Sequence, residues 1–236
     1  MSDNAYLIVS ANGFSIAEGF KILGPSSWFE KNFPEFAAQG ISSPMMGLQY
    51  LRGHAFTTFY DRLIKLIHFD KPQSEVMGLL KQITQGHDTF ILTANIEDRY
   101  AQAGFDRSQI FEMEGRLTFD QNHQPISRAH TTSITDPNQL ETFDYVESPH
   151  FQERLNALRE FVSTHPNLTI LELGVGTRNG LLRPVVFQIM EQDPKANLVI
   201  FNMEKSPVPP EFANRTTWKL GPLEPSLKDW LKSHQG

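Results

Sequence analysis

Three short stretches of the sequence carry residues that could hold an anion or a sugar and act on a bond. The first is SANGFSIAEG (10–19), directly behind the apolar run AYLIV. A chain that leaves a strand, turns through Gly13 and enters a helix presents unpaired N–H groups, which attract phosphate. Gly13 would let the backbone come close to such a ligand. Ser15 followed by Glu18 reads as a capping box that starts a helix over 15–23. A full G-x-G-x-x-G is absent, so spacing alone favours an ordinary tight turn. The second stretch is LELGVGTRNG (171–180), again between a strand-like run and a helix. One reading is the first motif of an S-adenosylmethionine-dependent methyltransferase, although only one further strand is evident after it; the other reading is a turn. The third is LTANIED (92–98), where Asn95, Glu97 and Asp98 set an amide and two carboxylates at the end of an apolar run. Ligands of open α/β sheets bind at such carboxyl ends. Acids at a helix start also suit the helix dipole, and for this stretch alone that is the simpler role.

The elements that must position these residues follow from the apolar pattern. AYLIVS (5–10), HDTFILTAN (87–95), LTILELG (168–174) and NLVIFNM (197–203) are short apolar runs, predicted as buried strands. Helices are predicted over 48–69, 74–84, 96–104, 148–165, 181–194 and 223–234, with Ser74 as a cap, Gly104 as a stop and Pro184 in a first turn. Residues 115–147 are polar and turn-rich and read as an insert. Buried strands alternating with helices predict an α/β fold, a parallel sheet covered on both faces.

The totals exclude several function classes. The chain has 236 residues and a net charge of −6, with no run of Lys or Arg, which disfavours a nucleic-acid groove. There is no cysteine, which removes disulfides, thiolate zinc sites and cysteine nucleophiles together. No signal peptide or membrane-length apolar segment is evident, so no membrane partner is expected and the cytoplasm is the default location.

Taken together, the three stretches resemble the sirtuins, NAD-consuming enzymes with a Rossmann-like large domain and a small insert. The first sirtuin turn, G-A-G-I-S then A-G, is matched by Ala11-Asn12-Gly13-Phe14-Ser15 and Glu18-Gly19. T-Q-N-I-D is matched by Thr93 to Glu97, G-T-S loosely by Gly174-Val175-Gly176, and I-N-x-E by Phe201 to Glu204. Within the family the chain resembles the class M branch, which is macrodomain-linked and has ADP-ribosyltransferase activity. Ala17-Glu18-Gly19-Phe20 and the phrase AGFD (103–106) followed by IF (110–111) carry that part of the likeness. The resemblance implies a Rossmann-like large part over about 1–23, 74–114 and 166–236, and a small part over about 24–73 and 115–165, in one domain spanning 1–236.

The resemblance also implies roles. NAD would be the co-substrate. Gly13 and Ser15 would hold its diphosphate, with Ala11, Phe14, Glu18 and Gly19 in the same NAD-binding turn; Gly174 and Gly176 would pass beneath the diphosphate and adenosine ribose, with Val175 also cofactor-binding. Asn202 and Glu204 would take the adenosine ribose hydroxyls, and Leu223 would form the adenine wall. Asn95 would hold the nicotinamide ribose, and Glu97 or Asp98 the carboxamide. Glu114 stands where deacylating members have a His base; its ordinary pKa of about 4.3 suits that role only if burial raises it. The four-cysteine zinc module is impossible, so no zinc is expected, and His123, His130 and His150 are read as structural or exposed. The partner implied is a protein substrate, with a lipoylated or acylated carrier protein and a macrodomain as candidates. A catalytically weak NAD- or ADP-ribose-binding module, the methyltransferase, and an α/β domain without a nucleotide are the rival readings.

Overall fold

The computed structural model describes residues 5–142, 145–177 and 179–234. The chain begins with β1 (Tyr6–Ser10) and α1 (Asn12–Ala17), then runs through α2 (Ser27–Asn32), α3 (Pro34–Ala37), α4 (Pro44–Tyr50) and α5 (Gly53–Ile64). After α6 (Glu75–Thr84) come β2 (Thr89–Thr93), α7 (Arg99–Gln102) and β3 (Ile110–Glu112). The last part holds α8 (Pro149–Thr164), β4 (Thr169–Leu173), α9 (Leu182–Gln192), β5 (Asn197–Asn202), β6 (Thr216–Leu220) and α10 (Leu223–His234). The strands form one parallel sheet in the order β3-β2-β1-β4-β5-β6. Strand order therefore reverses between β1 and β4, and a crevice opens at such a switch point.

Successive side chains of a strand point to opposite faces, and the sheet accordingly divides its apolar residues between two cores. Leu7, Val9, Ile170 and Leu198 pack with α8 and α9, whereas Tyr6, Ile8, Leu171 and Val199 pack with α6 and α10. Each fully buried Leu or Ile stabilises by about 2 kcal/mol, so strands covered on both faces need near-continuous apolar runs. A third core joins the helices of 24–73 to the 115–142 segment. Phe29 stacks on Phe33, Phe59 lies tilted against Phe33 and edge-on to Phe36, and Gly47 is in so close a contact with Phe59 that a Cβ would lie 2.3 Å from the ring. The Tyr60 hydroxyl donates to the Leu117 carbonyl at 2.6 Å, fastening the two halves of this smaller unit. Arg116 donates to Glu141 at 2.6 Å in the same segment, and both side chains are buried. Among the described residues no helix is long and apolar enough to cross a membrane.

Several elements differ from the sequence reading. The first helix starts at Asn12 rather than Ser15 and has Ala11 at its N-cap, with no side-chain cap. The predicted helix over 48–69 is broken, because Leu51 and Arg52 are extended and Gly53 takes a φ of +58°. Helix α8, expected in the small part, places Phe151, Leu158 and Phe161 in the sheet's core. Strands β3 and β6 have no counterpart in the predicted elements. β3 spans only three residues and buries a glutamate, and β6 is a partly exposed edge strand.

Candidate functional site at the switch point

The loops that follow β1 and β4 meet backbone to backbone. A Cβ on Gly13 would lie 2.5 Å from the Gly174 carbonyl oxygen, and one on Gly174 would lie 2.6 Å from Gly13 Cα. Gly174 also has a φ of +59°, which an L side chain rarely tolerates. The Gly13 N–H donates to the Gly174 oxygen at 3.0 Å, and the Gly174 N–H donates to the Phe201 oxygen at 3.0 Å. The glycines thus join β1, β4 and β5 at their carboxyl ends. The Gly13 donor is thus engaged within the junction.

Over this junction lies a cleft of about 540 Å³, within the range typical of small-molecule sites. Ala11, Gly13, Asn95, Glu97 and Glu114 line it, and so do Gly174, Gly176 and Asn202 across the junction. Phe14, Ser15, Glu18, Gly19 and Asp98 are not among its lining residues, nor are Val175, Glu204 and Leu223. Phe14 is buried and stacks on Tyr100, with centroids 5.2 Å apart. Val175 and Leu223 are core residues, and Glu204 is exposed one residue past the lining.

Asn12 also lines the cleft, a site residue that the motif reading passes over; its Oδ1 is buried with no partner among the described residues. Its position between Ala11 and Gly13 is the signal in the sequence. Ile16, Leu23 and Met203 add exposed apolar surface at the rim. No polar motif marks these three, so the sequence does not point to them. Asn202 donates from Nδ2 to the Val175 oxygen at 2.8 Å, so its amide also ties the β4 and β5 loops together.

The acidic residues divide into those in ion pairs and those outside them. Glu18 is not a helix-cap partner of Ser15. It is buried against Arg99, which donates from Nε at 3.2 Å, and it accepts from Ser74 at 2.8 Å. Asp98 sits in the left-handed region with a φ of +57° and accepts from Arg107 at 2.8 Å and Thr118 at 2.9 Å. Glu97 is 2% exposed and accepts a hydrogen bond from Ser15 Oγ at 2.7 Å. Burial pushes its pKa up to about 7, with Glu18 adding to the rise while Ser15 and Arg99 oppose it. Glu112, at the end of β3, is also raised to about 7 by burial, with Asp98 adding to it and Arg116 and Arg107 opposing it. Glu114 lies on the exposed side of the lining, and desolvation raises its pKa above the ordinary carboxylate value. A carboxylate with a raised pKa can take a proton near neutral pH.

His123 and His150 belong to the Arg116–Glu141 cluster. His123 Nδ1 is 2.9 Å from Glu141 Oε1, and His150 Nε2 is 3.3 Å from an Arg116 nitrogen. His130 contacts Ser127 on the surface.

No protein-family model matches the sequence. Over 124 residues the chain is 26% identical to a protein ADP-ribosyltransferase of Staphylococcus aureus (strain Mu50). That match covers 51% of this chain and 39% of the relative, so the chain corresponds to well under half of that protein's length. Three solved structures share the architecture along almost the whole chain. One, concerned with sirtuin substrate affinity, has a TM-score of 0.62 at 15% identity, covering 98% of this chain and 94% of the other. A second, concerned with the mechanism and regulation of Sir2 enzymes, has a TM-score of 0.58 at 13% identity, covering 98% and 92%. A third, a Sir2 protein bound to a propionylated peptide, has a TM-score of 0.57 at 16% identity, covering 98% and 93%. The 3-2-1-4-5-6 sheet, its glycine-built switch point and these likenesses agree that the chain has the fold of the sirtuins, in a form without cysteine.

Proposed function

We propose that the chain is a sirtuin-type enzyme that cleaves nicotinamide from NAD and transfers ADP-ribose to a protein side chain. The observation that carries this reading is the switch-point cleft, which brings Asn95, Glu97 and Glu114 to the junction of Gly13 and Gly174. The residues suit such a substrate. Two loops pressed together without side chains leave a smooth floor, a Cβ on Gly176 would meet nothing within 4 Å, and Asn12 Oδ1 offers an unpaired acceptor. Bond cleavage would build positive charge on the ribose carbon, and carboxylates and amide dipoles in a dry cleft stabilise such charge. Asn95 would orient the ribose, with its own loop held by the Thr93 hydroxyl, which accepts the Asn95 N–H at 3.0 Å. Glu114 would meet the incoming acceptor at the opening, and Glu97, on the floor, would take the acceptor's proton. The name of the S. aureus relative supports ADP-ribosyl transfer over deacylation, as does a glutamate at 114 in place of His.

The test is incubation of the purified protein with NAD, followed by mass spectrometry for free nicotinamide. Release that disappears in Asn95→Ala supports the enzyme. Binding of NAD without any release supports instead a catalytically weak NAD-binding module. Neither binding nor release limits the likeness to fold.

A further inference from the structure

Next to the cleft lies a void of about 10 Å³, the space of a single water. Thr93, Asn95, Glu97, Asp98 and Glu112 border it. Asn95 and Glu97 also border the cleft. Glu112 also borders a second, solvent-open cavity of about 200 Å³, together with Arg107, Arg116, His150 and Arg154. Glu97 therefore borders both the cleft and the void, and Glu112 borders both the void and a separate opening at the β3 edge of the sheet. Glu112 is 4% exposed, and its Oε1 has no hydrogen-bond partner among the described residues. A buried, unpartnered carboxyl oxygen bears an uncompensated desolvation cost, and carboxyls kept at such cost cluster at functional sites.

We propose that Glu97 and Glu112 conduct the proton released by ADP-ribosyl transfer out of the cleft, by way of the void between them, to the cavity at the β3 edge. The inference rests on the transfer reading above. In that reaction the acceptor, X–H, attacks the ribose carbon. The carbon–nitrogen bond to nicotinamide breaks with its electron pair on the pyridine nitrogen, and the carbon–X bond forms. NAD⁺ and X–H thus become X–ADP-ribose, neutral nicotinamide and one proton. Glu97 takes that proton, and a filled cleft blocks its return to solvent through the front. The way out is behind, through one water to Glu112 and then to the open cavity.

Charged and titratable neighbours frame both carboxyls. Glu97 faces Glu18 of the first loop, Arg99 and Tyr100 of α7, and His68, whose Nδ1 is 3.0 Å from the Glu97 carbonyl. Glu112 faces Asp98, Arg107, Arg116 and Glu141, with His150 and Arg154 of α8 across the cavity. Both carboxyls have pKa values raised to about 7, close enough to pass a proton either way.

The experiment measures nicotinamide release against pH for the wild type, Glu112→Gln and Glu112→Ala, with NAD affinity and melting temperature as controls. Glu112→Gln is expected to lower the rate by roughly 10²-fold while NAD still binds and the fold is intact. Glu112→Ala opens the void to the cavity, so added formate should restore much of its rate. A wild-type rate in Glu112→Gln overturns the proposal and assigns the proton to Glu114 at the cleft opening. A slow Glu112→Ala that formate does not rescue, or one that loses NAD binding, also overturns it by showing a structural role. No release from the folded wild type defeats the transfer reading itself, a different outcome from release that is indifferent to Glu112.

Discussion

Glu97→Gln should change how stability depends on pH. In the folded protein the Glu97 pKa is about 7, against an ordinary value of 4.5. A pKa raised by folding adds stability below the unfolded value, and that stability is lost as pH rises through the folded value. At about 1.4 kcal/mol per pKa unit, the raised pKa costs the folded protein about 3 kcal/mol at pH 8 and about 1 kcal/mol at pH 5, relative to a side chain that cannot ionise. Glutamine cannot ionise, and its carbonyl can still accept the Ser15 hydroxyl that now donates to Glu97 at 2.7 Å. Its buried NH₂ group adds a constant cost, so the informative quantity is the change in the gap between the two proteins. Urea unfolding from pH 5 to pH 8 should shift that gap by about 2 kcal/mol in favour of the variant. A gap constant across that range would falsify the assignment of Glu97 as a buried acid near neutrality. The same acid is the first member of the proposed proton path, so the titration also tests its chemistry without turnover.

Gly13→Ala should be costly, because the new methyl would meet the Gly174 backbone, not a flexible side chain, at 2.5 Å. A loss of about 1–3 kcal/mol or more is expected by urea denaturation, with NAD binding lost as the cleft floor deforms. Gly78→Ala in α6 is the control, since its Cβ would find only a glutamine amide 3.9 Å away and should stabilise by roughly 0.5–1 kcal/mol. Arg116→Leu should cost about 3–5 kcal/mol in chemical denaturation, because Glu141 would be left buried with only His123 beside it. The double variant Arg116→Leu/Glu141→Leu should recover most of that loss; equal costs for single and double variants would show that the ion pair is not what holds the segment.

The α/β class, the four central strands and the place of the glycine joints are legible because each depends on neighbours in sequence. Leu7 to Val9 and Ile170 to Leu173 must be apolar on both faces wherever a covered parallel strand forms. The same local logic misreads Ser15 and Glu18. Their spacing is that of a capping box, yet Ser15 bonds to Glu97 and Glu18 to Arg99, partners about 80 residues away. Asp98 is likewise legible as a strand-end acid but not as the partner of Arg107 and Thr118. Nothing in IFEMEG announces that Glu112 is buried, since a three-residue strand is too short to show a period.

What the sequence determined by itself was therefore the kind of protein: apolar runs for a two-faced sheet, glycines where loops turn, and no cysteine for zinc or disulfides. Which acids lie buried, which have a cation and which line a cavity was decided only by the tertiary structure. The reason is physical. Strand formation and turning depend on residues within a few positions, whereas a carboxyl's pKa depends on desolvation and on charges brought beside it from distant parts of the chain. Glu18 was brought into an ion pair with Arg99, whereas Glu97 was brought to the buried floor of the cleft, where Ser15 donates to its carboxyl.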